Sequence, residues 1–113
     1  MARAIISVSP NPKRGEVIEI RALIQHPMHT GYRPDSSGVV IPRDLVRRFT
    51  CHFQSAEPNA PRELVLDAEL FAAVAANPTL TFHMVALSRG MLVFNWSGDN
   101  GFVQTETVAL NVV

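Results

Sequence analysis

Apolar and polar residues alternate with a period of two along most of this chain. From Glu16 to about Gln25, Ile18, Ile20, Ala22 and Ile24 share one face, while Glu19, Arg21 and Gln25 lie on the other. That period marks a half-buried β-strand. Leu45 to Phe53 repeats it, with Phe49, Cys51 and Phe53 set against Arg48, Thr50 and His52. Thr79 to Ser88 places Leu80, Phe82, Met84 and Ala86 opposite Thr81, His83, Val85 and Leu87. Both faces of that run are fairly apolar, so it predicts a central strand or one covered on its outer side. Met91 to Ser97 aligns Leu92, Phe94 and Trp96, and Phe102 to Val113 sets Val108, Leu110 and Val112 against Thr105, Thr107 and Asn111. Shorter runs at 4–9, 39–41 and 62–66 read as further strands.

Turn signals separate these runs about every ten residues, the spacing of an all-β sandwich or barrel. Pro10-Asn11-Pro12, Lys13-Arg14-Gly15, His26-Pro27 and Arg89-Gly90 each end a run, and 27–38 and 55–61 read as loops. Asn100-Gly101 is the strongest short hairpin signal in the chain. One segment breaks the pattern. Residues 67–76 are rich in helix formers, with Asp67 placed as an N-cap and Asn77-Pro78 as a stop. They predict two or three helical turns. The expected fold is an all-β, immunoglobulin-like or fibronectin-like antiparallel β-sandwich of about seven strands with one short helical crossing. It is expected to occupy 1–113 as a single domain.

Composition narrows the function classes. The chain has 113 residues, of which 47% are hydrophobic, enough for one core without a metal or disulfide. Charged residues make up 18%, below the ~25% of an average protein. That shortfall fits a surface partly covered by another molecule. Ten basic and ten acidic side chains cancel, and no basic stripe runs along any segment. The electrostatic footprint of a nucleic-acid binder is therefore missing. No run of apolar residues approaches the ~20 needed to span a membrane, and the first residues carry no export signature.

Little in the sequence points to catalysis. Cys51, the sole cysteine, alternates inward between Phe49 and Phe53, the setting of an inert core thiol. No nucleophile elbow, phosphate-cradling glycine loop or dinucleotide fingerprint is present. Asp35, Asp44, Asp67 and Asp99 fall in loops or at element starts, where Asp caps backbone donors. His26, Met28 and His29 place soft sulfur beside imidazole, a set that suits copper. No metal-binding spacing supports them, so the chain is not expected to be an enzyme or to hold a cofactor.

Six short segments resemble one family in order and spacing. They are Lys13-Arg14-Gly15-Glu16-Val17-Ile18-Glu19-Ile20, His26-Pro27-Met28 with Thr30-Gly31, and Val40-Ile41-Pro42-Arg43-Asp44. Arg48-Phe49-Thr50-Cys51, Ala75-Ala76-Asn77-Pro78 and Thr105-Glu106-Thr107 follow. Together they resemble SoxZ, the smaller subunit of the thiosulfate-oxidation carrier SoxYZ, from about residue 4 to 112. The resemblance implies an immunoglobulin-like fold and a heterodimer, or a heterotetramer, with a SoxY-like carrier protein. That partner bears the sulfur substrate on a cysteine in a glycine-rich arm, which visits SoxAX- and SoxB-like enzymes. It also implies a periplasmic location, by co-export with a signal-bearing partner. His29 departs from the family pattern, which more often has an acidic residue there, and 56–61 is longer than the pattern.

On that reading the chain contributes surface rather than chemistry. Outward apolar residues Leu23, Val85, Leu87 and Val103 are the expected partner contacts. Met28, Arg33 and Arg43, in the loop after the second strand, are expected to face the arm or a visiting enzyme. Two rivals stand beside this reading. One is a periplasmic copper-binding sandwich using His26, Met28 and His29, and the other a stand-alone fibronectin-like binding module.

Overall fold

In the computed structural model, which describes residues 3–71, 74 and 76–113, the alternation becomes two facing antiparallel sheets. The strands are β1 (Ala4–Val8), β2 (Val17–Ile24), β3 (Val46–Ser55), β4 (Glu63–Glu69), β5 (Thr79–Val85), β6 (Gly90–Gly98) and β7 (Val103–Leu110). One sheet has the order β1-β2-β5 and the other β4-β3-β6-β7. The fourth strand thus joins the sheet of the third, as in sandwiches of the three-plus-four kind. The sandwich expected from the sequence is what forms.

Strand faces follow the sequence pattern. Ile18, Ile20, Ala22 and Ile24 of β2 point inward and are fully buried. Across from them lie Phe49 and Cys51 of β3 and Leu92, Phe94 and Trp96 of β6, all buried. Phe49 joins the two layers. Its ring meets Phe82 of the three-stranded sheet edge-on at 5.9 Å, and Trp96 and Phe94 of its own sheet at 5.2 and 6.2 Å. Such pairs add to the stabilisation that comes from area alone.

Two expected elements differ. The helix over 67–76 does not begin at Asp67, because 67–69 complete β4. Thr50 pairs with Asp67, Phe49 with Ala68 and Arg48 with Glu69. Asp67 caps nothing there and instead accepts Arg48 Nε at 2.9 Å and Nη2 at 2.6 Å. Strand pairing overrides a weak helix propensity. Residues 72, 73 and 75 of the expected helix lie outside the described residues. The expected strand at 39–41 is one arm of a small hairpin, with a single bridge between Pro34 and Val40. Asp35 ties its tip: its Oδ1 accepts the Ser37 hydroxyl at 2.8 Å and the N–H groups of Ser37 and Val39 at 2.9 and 3.0 Å. Those bonds, the Ser37 hydroxyl first, lower the Asp35 pKa.

Strand β3 has two irregularities. Its pairing with β4 shifts between Cys51 and His52, and its pairing with β6 shifts between Val46 and Arg48. The second shift leaves Arg47 as an extra, unpaired residue, the mark of a β-bulge.

Candidate interaction surface

The 26–45 loop closes one end of the sandwich, and His26 organises it. This imidazole is 5% exposed. His26 N–H donates to Asn77 Oδ1 at 2.9 Å, and Asn77 N–H donates back to the His26 carbonyl at 2.8 Å. Nδ1 accepts the Met28 N–H at 3.1 Å, which leaves Nε2 to carry the proton of a neutral ring. Nε2 lies 3.5 Å from Asp44 Oδ1, and the ring stands edge-on to Phe102 at 5.0 Å. His29 and Asp44 then exchange backbone hydrogen bonds of 2.9 and 2.8 Å.

Met28 has φ +55°, a region that residues with a Cβ seldom adopt. Burial and its bond to His26 hold it there, and its sulfur accepts the Val46 N–H at 3.2 Å. Met28 was expected on the surface as a contact for the arm or a visiting enzyme. It belongs to the core instead, because the left-handed turn folds its side chain under the loop. The copper reading meets the same obstacle. His26 Nδ1 and the Met28 sulfur, two of its donors, already accept backbone N–H groups.

Asp99, in the turn between β6 and β7, ties the loop to the sheet. Oδ1 accepts Arg43 Nη2 at 2.9 Å and faces Arg47 Nη1 at 3.7 Å. Oδ2 accepts the Leu45 N–H at 3.2 Å, and the Asp99 N–H donates to the Leu45 carbonyl at 2.9 Å. The sequence showed the Asn-Gly turn but not this partnership, which spans 54 to 56 residues and leaves no local signal. Gly31, at φ +89°, lies against Arg43, where an added Cβ would sit 3.2 Å from the Arg43 Cβ. A cleft of about 230 Å³ opens between Thr30, Tyr32, Arg43, Arg47, Leu70 and Phe71. Tyr32 and Phe71 stand exposed at its mouth.

The other expected contact residues do not gather on one face. Leu23 and Val85 share the outer face of the three-stranded sheet, but near opposite ends, since Val85 pairs with Val17 and Leu23 with Thr79. Six residues of strand separate the two positions, about 20 Å. Between them lie Glu19, Arg21 and His83, with Glu19 3.1 Å from Arg21 and 3.9 Å from His83. Leu87 lines a cleft of about 500 Å³ at the far end of the sandwich, with Arg14, Pro58, Arg89 and Val113. Val103 is exposed on the outer face of the four-stranded sheet, where it pairs with Ser97. Arg33 lies exposed at the hairpin, its carbonyl accepting the Ile41 N–H at 2.9 Å. Alternation separated inward from outward residues, but it held no information on which outward residues are neighbours. The outward positions of β6 and β7, among them Met91, Val93, Thr105 and Val103, carry no charged side chain.

No curated protein matches the chain. The family model of the sulphur oxidation protein SoxZ matches residues 6–109. The chain belongs to the SoxZ family. Its role therefore lies in sulfur oxidation. Three of the six segments that carried the SoxZ resemblance converge in space. His26-Pro27-Met28, Thr30-Gly31, Arg43-Asp44 and Asn77 all meet at the loop end of the sandwich.

Solved structures similar to this SoxZ-family chain include superoxide reductases. One from Ignicoccus hospitalis shares 12% identity at a TM-score of 0.75, over 97% of this chain and 80% of that one. A putative superoxide reductase from Thermotoga maritima shares 16% at 0.75, over 97% and 85%. The superoxide reductase from Nanoarchaeum equitans shares 12% at 0.68, over 95% and 90%. At such identities the likeness concerns the fold alone. Among the described residues, no group of three or more His, Cys, Asp or Glu is placed to hold a metal, and no helix is long and apolar enough to cross a membrane.

Cys51 is packed in the SoxZ core, and burial pushes its thiol up to about 12 from an ordinary 9.0. A thiol reagent at neutral pH is expected to label it only as fast as the protein opens. Rapid stoichiometric labelling of the folded chain would show the opposite. The raised value also sets a pH dependence. The unfolded thiol ionises near pH 9 while the folded one stays protonated, so stability falls as pH rises from about 9 toward about 12. Urea midpoints measured across that range check it, with Cys51→Ala as the variant that should lose this slope.

Proposed function

We propose that this chain is the non-catalytic subunit of a SoxYZ-type carrier complex. It covers a SoxY-like partner and helps present sulfur intermediates, held on the partner's cysteine, to the oxidising enzymes. The observation that carries the reading is the SoxZ family match across residues 6–109. The low content of charged residues and the uncharged outer face of β6 and β7 support it, since interface centres are depleted in charge. The proposed location is the periplasm, reached together with the partner, and the SoxAX- and SoxB-like enzymes are transient visitors.

The test is to isolate the chain from its native cells under non-reducing conditions and identify what accompanies it by mass spectrometry. The expected companion ends in a glycine-flanked cysteine and carries added sulfur or sulfonate mass when cells grow on thiosulfate. Recovery of the chain as a lone monomer would sink the proposal and favour a stand-alone module.

A further inference from the structure

We propose that the cleft between Tyr32 and Phe71 binds a tetrahedral oxyanion on the guanidinium groups of Arg47 and Arg43. That there is an oxyanion rests on the cleft itself. That it is an oxyanion of sulfur rests on the carrier reading above.

The three neighbouring arginines are not equivalent. Arg48 holds Asp67 through two nitrogens, at 2.9 and 2.6 Å. Arg43 donates to Asp99 at 2.9 Å. Arg47 lies 3.7 Å from the same Asp99 oxygen, and among the described residues its side chain makes no hydrogen bond. The other Asp99 oxygen accepts the Leu45 N–H. Two guanidinium groups therefore share the Asp99 carboxylate, and Arg47 keeps open donors beside the cleft. A guanidinium fork with open donors suits a tetrahedral oxyanion.

The backbone presents Arg47 there. The bulge in β3 makes it the extra residue, so Arg47 and Arg48 are both exposed between the buried Val46 and Phe49. Bulges commonly re-aim a side chain in this way. Both walls of the cleft are anchored to the same strand or to the residues just before it. The Leu70 N–H donates to the Arg47 carbonyl at 2.8 Å, which fixes the Leu70–Phe71 wall. Gly31 packs on Arg43, and the His29–Asp44 bridge fixes the Thr30–Tyr32 wall. Thr30 Oγ1 accepts the Tyr32 N–H at 3.3 Å, so its own proton is free to donate into the cleft. Glu69 borders a neighbouring cleft that shares Arg47, Leu70 and Phe71, but it lies beside Arg48, whose pKa is raised first by the hydrogen bond and charge of Asp67 and last by Glu69. The oxyanion is placed on the Tyr32 side, away from this carboxylate.

The test follows the Arg Nε–Hε signals of the full ¹⁵N-labelled chain during titration with sodium thiosulfate, and with sodium chloride at equal ionic strength. Thiosulfate is expected to shift Arg47 saturably, and chloride is not. Arg47→Gln should weaken binding about tenfold or more, while Arg89→Gln, at the far end, should leave it unchanged. A glycine-flanked cysteine peptide, S-sulfonated or unmodified, identifies the source. Tighter binding of the sulfonated peptide than of thiosulfate assigns the site to an oxyanion carried by a partner. Equal binding assigns it to the free ion. Equal shifts with chloride, or binding that survives Arg47→Gln, would overturn the proposal. Failure of the carrier reading is separate: a lone chain in native isolates, with Arg47-dependent binding intact, sinks that reading and leaves the oxyanion site.

Discussion

Gly98→Ala is expected to cost about 3 kcal/mol of stability, at the upper end for overpacking, and to abolish the candidate site. Gly98 lies opposite Val46 where β3 bulges. A Cβ on it would run into the Leu45 carbonyl oxygen and lie 2.9 Å from the Val46 Cα. Both obstacles are backbone, so no rotamer change relieves them. The conformation of Gly98 itself is extended, which leaves the close approach as the sole reason for glycine. The adjoining Asp99 holds Leu45 and Arg43, so a displaced turn also removes the carboxylate that sets the two arginines. Thermal unfolding should show a fall in Tm of about 10–20 °C. Gly38→Ala provides the contrast. Nothing lies within 4 Å of its Cβ position, and its φ of +84° makes the left-handed backbone the only cost, about 1 kcal/mol. Equal effects of the two substitutions would contradict the packing account.

Phe49→Ala is expected to cost about 3–5 kcal/mol, as measured by urea unfolding. Its ring is fully buried and touches Phe82 of the facing sheet as well as Phe94 and Trp96 beside it. Truncation therefore leaves a void between layers, whose strands are held by their ladders and cannot collapse onto it. A domain of this size has about 5–15 kcal/mol in total, so much of the margin would go. The m-value should stay near that of the natural chain, because the surface exposed on unfolding hardly changes. A loss under about 1 kcal/mol would mean that the neighbouring rings refill the space.

The candidate site was legible only in pieces. Residues His26, Met28, Arg43 and Asp44 stood out in the sequence, yet their roles did not. Met28 carries an apolar side chain in a polar loop, and sequence cannot say that a positive φ turns it inward. Asp99 resembled any turn aspartate, because its partners lie more than fifty residues away. Asp67 illustrates the reverse error. Local helix propensity was real but worth only tenths of a kcal/mol per residue. Pairing with β3 and a two-point contact with Arg48 outweighed it.

The alternation of apolar and polar residues determined by itself that this chain is built of half-buried β-strands, and which side of β2, β3, β5, β6 and β7 faces the core. It could do so because the period of a strand is two and burial strongly favours one register. The short segments at 13–20, 26–31, 40–44, 48–51, 75–78 and 105–107 likewise carried the SoxZ resemblance. Only the tertiary structure decided which outward residues are neighbours. It separated Leu23, Val85, Leu87 and Val103, placed Met28 in the core, and brought Arg43 and Arg47 to one cleft with Asp99 holding them. Those contacts depend on strand order and on a bulge, which arise from the packing of distant segments and have no period along the chain.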